Sequence, residues 1–75
     1  MDEEFGLTYQ PLRILLVKRN MQKLEFAEKV GIAPATLAKL MKDRPVMLDV
    51  LDRVCKALDV ELDQIVERKK DAAEE

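Results

Sequence analysis

The chain has 75 residues, 48% of them apolar, with one cysteine, no histidine and a net charge of −2. This is enough for one small domain, which buries roughly 60% of its unfolded surface, and it excludes an internal disulfide and any run near the ~20 apolar residues of a membrane span. With no histidine, no Gly-rich phosphate loop and no metal-ligand spacing, nothing points to an enzyme, a metal site or a bound cofactor, and no small-molecule ligand is evident.

The first nine residues, which open on "MDEEF", carry three acids and no base. That start lacks the basic and apolar regions of a signal peptide, so a cytoplasmic protein is expected. Residues 5, 7 and 9 of "FGLTYQ" are apolar, a period of two that permits a short extended segment or simple packing on the core. "PLRILLVKRN" is then a first helix. Pro11 suits its first turn, where a missing N–H is harmless, and either Thr8 or Gln10 supplies the cap. Leu12, Leu15 and Leu16 follow helical spacing, and Ile14 and Val17 widen the apolar face.

"QKLEFAEKVG" is a second helix with Leu24, Phe26, Ala27 and Val30 inward, stopped by Gly31 as a left-handed C-terminal residue. "PATLAKLMK" is a third, with Leu37, Leu40 and Met41 inward. Its Pro34 is no breaker, because it falls in the first turn and biases Ala33 away from helix. After the loop "DRPV", "LDVLDRVCKALD" is a fourth helix on Leu48, Leu51, Val54, Cys55 and Leu58, with Cys55 expected as a buried structural thiol. "VELDQIVER" is expected to be a short fifth helix with Leu62, Ile65 and Val66 inward, and "KKDAAEE" either extends it or frays. The expected core is Leu15, Leu16, Phe26, Ala27, Val30, Leu37, Leu40, Leu51, Val54, Leu58 and Ile65.

Charge is spread unevenly along this series. Residues 10–47 hold eight bases against three acids, and residues 48–75 hold nine acids against five bases. A basic middle between acidic ends fits a localised anion-binding face, although solvated surface charge would look the same from composition alone.

In "KLEFAEKVGIAPATLAKLMK", residues 23–42, a small residue (Ala27) stands four before a glycine (Gly31), with Leu37 and Leu40 following. Two helices that cross steeply after a short turn need a small residue where they touch and a permissive one at the turn. The stretch resembles the helix-turn-helix of the phage repressor/Cro-type (XRE-like) DNA-binding family. "VMLDVLDRVCKALDVELDQIV" is similar to that family's fourth and fifth helices, so the resemblance covers about residues 8–67. It implies an all-α, five-helix repressor-like domain over residues 1–75, with the helix-turn-helix formed by helices 2 and 3.

The resemblance also implies double-stranded DNA as partner, a third helix in the major groove and pairing into a homodimer. Ala33, Pro34, Ala35, Thr36 and Lys39 would face the bases, and Gln22, Lys23, Lys42 and Arg44 the phosphates. Several positions depart from the family's pattern. Ala33, Pro34 and Ala35 stand where Gln, Arg, Asn or Ser are common. Gln22 and Met47 stand where Ser or Thr often caps the second and fourth helices. Such small side chains still suit a groove: alanine and threonine methyls pack on a thymine methyl, and Lys39 can donate to guanine.

For each residue there is a plainer role. Lys39 and Lys42 would serve as solvated surface lysines, Gln22 and Lys23 as capping residues at the opening of the second helix, and Arg44 as turn surface before Pro45. The two functions that follow are a sequence-specific transcriptional regulator and a protein-interaction module, antirepressor-like or a regulatory subunit, that keeps the fold without tight DNA binding. The apolar residues of the fifth helix (Leu62, Val66) and the N-terminal stretch (Phe5, Leu7, Tyr9) are the expected dimer surfaces.

Overall fold

The computed structural model describes residues 5–69. Strand β1 (Leu7–Thr8) leads into α1 (Gln10–Lys18), α2 (Lys23–Val30), α3 (Pro34–Met41) and α4 (Leu48–Leu58), followed by a 3-10 turn (Leu62–Gln64) and strand β2 (Glu67–Arg68). The two strands pair antiparallel, Leu7 opposite Arg68 and Thr8 opposite Glu67. Lys69 N–H extends the ladder to the Gly6 carbonyl at 2.9 Å.

The four expected helices form, and each is followed by a residue in the left-handed region. Gly31 (φ +84) ends α2, while Asn20 (φ +56), Asp43 (φ +57) and Asp59 (φ +58) follow α1, α3 and α4. Asn and Asp adopt this conformation more readily than other side-chain-bearing residues, so all four turns are built from tolerant residue types. At the first helix the cap is shared. Tyr9 is the cap residue, and the Thr8 hydroxyl accepts from Gln10 N–H at 3.1 Å.

The core is Tyr9, Leu12, Leu16, Phe26, Val30, Leu40, Leu51, Val54, Leu58 and Ile65, with Leu15, Leu37 and Met41 half-buried against it. Ala27 is also buried, as its place between α2 and α3 requires. Four large apolar residues on the helices stay exposed, outside the inward faces. Leu24 is 68% exposed because it stands about 160° around α2 from Phe26. Val17 and Leu48 are each 78% exposed, and Ile14 is also outward. Tyr9, expected at a dimer surface, is instead enclosed in the core.

The expected fifth helix does not form. Residues 62–64 make one 3-10 turn, closed by Ile65 N–H to the Leu62 carbonyl at 3.0 Å, and the chain then extends into β2. The β-branched Ile65 and Val66 stand between the turn and β2, where they lower the propensity of the chain to continue as helix. The backbone groups beyond them find partners in β1, some sixty residues earlier, which nothing in the local pattern announces. Ile65 is buried as expected, but Leu62 is exposed.

Candidate nucleic-acid interface

Helices α2 and α3 are joined by Gly31, Ile32 and Ala33. Gly31 and Ile32 N–H both return to the Ala27 carbonyl, at 2.8 and 3.1 Å, so the turn is held by the buried small residue that also spaces the helices. The Arg53 guanidinium on α4 donates to the Gly31 carbonyl at 3.1 Å and fixes the turn from behind.

From this turn α3 presents a divided surface. Leu40 is buried, and Leu37 and Met41 are half-buried toward the core. Ala33, Pro34, Ala35, Ala38 and Lys39 are exposed, with Thr36 half-buried at the margin. Ala35, Lys39 and Lys42 succeed one another at intervals of four and three, so they lie along one side of the helix. Its start has no side-chain cap: Ala33 has no side-chain oxygen to offer, and Pro34 has no N–H to satisfy.

Gln22 and Lys23 are exposed at the first turn of α2, where Gln22 is the cap residue. Its N–H reaches the Glu25 carboxylate at 3.4 Å. Gln22, Lys23 and Met41 line one open groove of about 410 Å³ together with Leu16, Val17 and Met21. The beginning of α2 and the end of α3 therefore meet at one edge of the molecule, with the exposed Lys42 and Arg44 just beyond Met41.

The residue that holds that edge carries no motif in the sequence. Asp43, between Lys42 and Arg44, accepts from Tyr9 N–H at 2.8 Å, from the Thr8 hydroxyl at 3.0 Å and from Arg13 at 2.8 Å. Arg13 Nη1 also donates to the Leu40 carbonyl at 3.1 Å, at the negative end of the α3 dipole. Burial opposes ionisation of Asp43, but the bonds from Arg13, Tyr9 N–H and Thr8 together outweigh it and hold the carboxyl below its ordinary range. The Tyr9 hydroxyl donates to the Arg44 carbonyl at 2.9 Å. Its burial, with Asp43 adding to the effect, pushes the phenol above its usual value despite an opposing backbone contact at Val46. The one sequence signal was an Asp two places beyond a helix, where a left-handed residue is needed.

Cys55 is half-buried, not fully enclosed as expected. Burial and the neighbouring Asp52 and Glu61 carboxylates push its thiol above the usual range, which favours the unreactive protonated form.

An exposed, small-residue helix set after a buried alanine and a left-handed glycine, with exposed bases before it and after it, is an arrangement that small helix-turn-helix domains share. The chain belongs to the Cro/C1-type HTH DNA-binding domain family, which its residues 11–71 match. An uncharacterised HTH-type transcriptional regulator of Bacillus subtilis (strain 168), YozG, is 37% identical over 60 residues, spanning 77% of this chain and 71% of that protein. The crystal structure of the transcriptional regulator VanUg superposes with a TM-score of 0.82 at 32% identity, covering 95% of this chain and 100% of that one.

Proposed function

We propose that this protein is a cytoplasmic transcriptional regulator that binds double-stranded DNA sequence-specifically, as one domain with its core over about residues 8–67. In this reading α2, the Gly31–Ala33 turn and α3 are the helix-turn-helix, and α3 enters the major groove. Ala33, Pro34, Ala35, Thr36 and Lys39 face the bases. Gln22, Lys23, Lys42 and Arg44 meet the phosphates on either side.

The observation that carries the reading is the face of α3. Its outer side is free of bulk and of acidic residues and carries Lys39, while its inner side is anchored in the core. Small side chains let the helix backbone approach the groove floor closely, and deformability of the DNA supplies discrimination where directional contacts are few. Selection of bound duplexes from a random pool, followed by anisotropy titrations on selected and scrambled sites, tests it. A recovered consensus with tighter binding than scrambled DNA supports it, and equal binding of every sequence defeats the specificity claim.

A second reading is favoured by the same alanine-rich edge: a protein-interaction module that uses α3 against another protein. It predicts no binding to any duplex even at low salt.

The DNA reading includes a homodimer, because one copy presents one such helix and two-fold sites need two, about 34 Å apart. Of the surfaces expected from the sequence, Phe5 and Val66 pack against the core and Leu7 pairs with Arg68, so the surface proposed for pairing is Leu62 with the exposed Met47 and Leu48. Leu48 and Leu62 line an open groove of about 270 Å³ with Leu51, Cys55 and Val60. Leu62→Glu should shift sedimentation from dimer to monomer. A parent protein that is monomeric both free and on DNA would refute pairing.

A further inference from the structure

We propose that Asp43 is the positioning residue of the DNA-binding edge: gripped by Arg13, Thr8 and the Tyr9 backbone, it presets Lys42 and Arg44 as a pair for neighbouring phosphates. The inference rests on the DNA-binding reading above and adds a residue that does not itself touch DNA.

The geometry around Asp43 is unusually constrained for a surface loop. Its φ of +57° turns the chain sharply out of α3. Its carboxylate ties that turn to Thr8, Tyr9 and Arg13, thirty or more residues away in sequence. The next residue is held at both backbone groups: Arg44 N–H donates to the Lys39 carbonyl at 2.9 Å, and the Arg44 carbonyl accepts from the Tyr9 hydroxyl at 2.9 Å. Arg13 meanwhile closes the last turn of α3 through the Leu40 carbonyl. The backbone under Lys42 and Arg44 is therefore fixed, while their side chains remain exposed. A site ordered before binding loses less conformational entropy when it meets its partner.

A division of labour among the arginines supports this. Arg13, Arg19 and Arg53 each donate to a carbonyl at the C-terminal end of a different helix: Leu40 of α3, Leu58 of α4 and Gly31 after α2. Of the three, only Arg13 also grips a loop flanked by exposed bases. Arg19, with its 2.8 Å bond to the Leu58 carbonyl, supplies a matched control for the loss of a helix-end bond remote from that loop.

The test measures thermal stability, duplex affinity and the salt dependence of affinity for the parent, Asp43→Gly, Asp43→Asn, Arg13→Met and Arg19→Met. Glycine keeps the left-handed turn accessible, so Asp43→Gly removes the carboxylate without adding backbone strain. Asp43→Gly and Arg13→Met should each weaken binding by about tenfold, within the range of coupling between contacting residues. The slope of log affinity against log salt should become shallower by about one unit for each phosphate that Lys42 or Arg44 no longer neutralises. Combining the two substitutions should add little, because both cut the same brace, and Asp43→Asn should fall between parent and glycine. Arg19→Met should lower the melting temperature while leaving affinity and slope unchanged, an outcome a purely structural role for Asp43 would share. If Asp43→Gly fails to fold, Asp43→Asn and Arg13→Met decide the matter. A parent that binds DNA, with affinity and slope unchanged in the folded variants, overturns this inference alone. A parent that binds no duplex at low salt overturns the DNA reading and this inference with it.

Discussion

The two ends of α3 are built on opposite terms. At the first turn Ala33 offers no cap, Pro34 and Ala35 are exposed, and the backbone N–H groups of Ala35 and Thr36 lie before the first helical hydrogen bond, which runs from Leu37 N–H to the Ala33 carbonyl. At the last turn Arg13 takes up the Leu40 carbonyl, and Asp43 locks the following loop to α1. A helix leaves four backbone donors unmet at its start and four acceptors at its end. Here the N–H groups of Lys42 and Arg44 take up the Ala38 and Lys39 carbonyls and Arg13 takes up that of Leu40, while the start carries no side-chain cap. Such an arrangement suits a helix whose leading end meets an anion-rich partner and whose trailing end must not move.

The most severe way to break this contrast is to place negative charge at the open end. Ala35→Glu should reduce duplex binding by at least about a hundredfold, since like-charge juxtaposition costs several kcal/mol. Far-UV circular dichroism should remain that of the parent, because Ala35 is exposed. Normal binding by this variant would remove α3 from the groove and favour the protein-interaction reading.

Lys39, midway along the helix, sharpens the contrast by separating reading from positioning. Lys39→Ala should cost about 1–3 kcal/mol on a selected duplex and much less on random DNA, because a base contact carries discrimination. Equal losses on both, by fluorescence anisotropy, would make Lys39 a phosphate contact.

Near the braced end the expected effect is smaller and uniform. Lys23→Ala, Lys42→Ala or Arg44→Ala should each weaken binding to all duplexes alike and reduce the salt slope by about one unit. A salt series on one selected and one scrambled duplex is sufficient.

The smallest effect is on stability and belongs to Asp43 itself. Its carboxyl ionises more readily folded than unfolded, so its contribution is fully present above the unfolded value near pH 4. It is lost as pH falls from there through the lower folded value. Other carboxylates titrate in the same window, so the informative quantity is the difference between parent and Asp43→Asn in thermal melts. That difference should hold above about pH 5 and shrink below about pH 4. A gap independent of pH would show that Arg13 does not favour the ionised form.

The four helices and the turn after α2 were legible in the residues alone, because each rests on a local signal. Pro11 and Pro34 mark helix starts, Gly31 marks a stop, and Phe26, Ala27 and Val30 recur at the interval that puts them on one face. Most of the core was legible in the same way, as was the exposure of Ala33, Ala35, Lys39 and Lys42, which the structure leaves at the surface. Where apolar residues sat at the rim of a helical face, as with Val17 and Leu48, periodicity could not say whether another element would cover them.

Tertiary structure decided the rest. Over nine residues, "VELDQIVER" satisfies a helical period, yet its last residues pair with Leu7 and Thr8. Asp43 reads as loop surface until Thr8, Tyr9 and Arg13 come within hydrogen-bond reach, and Tyr9 reads as spare apolar surface until its ring enters the core and its hydroxyl finds Arg44. Helix periodicity depends on neighbours three and four residues apart, so it is visible within the short stretch that carries it. A hydrogen bond between groups thirty to sixty residues apart leaves no such trace, because the partner's position is known only once the chain has folded around it.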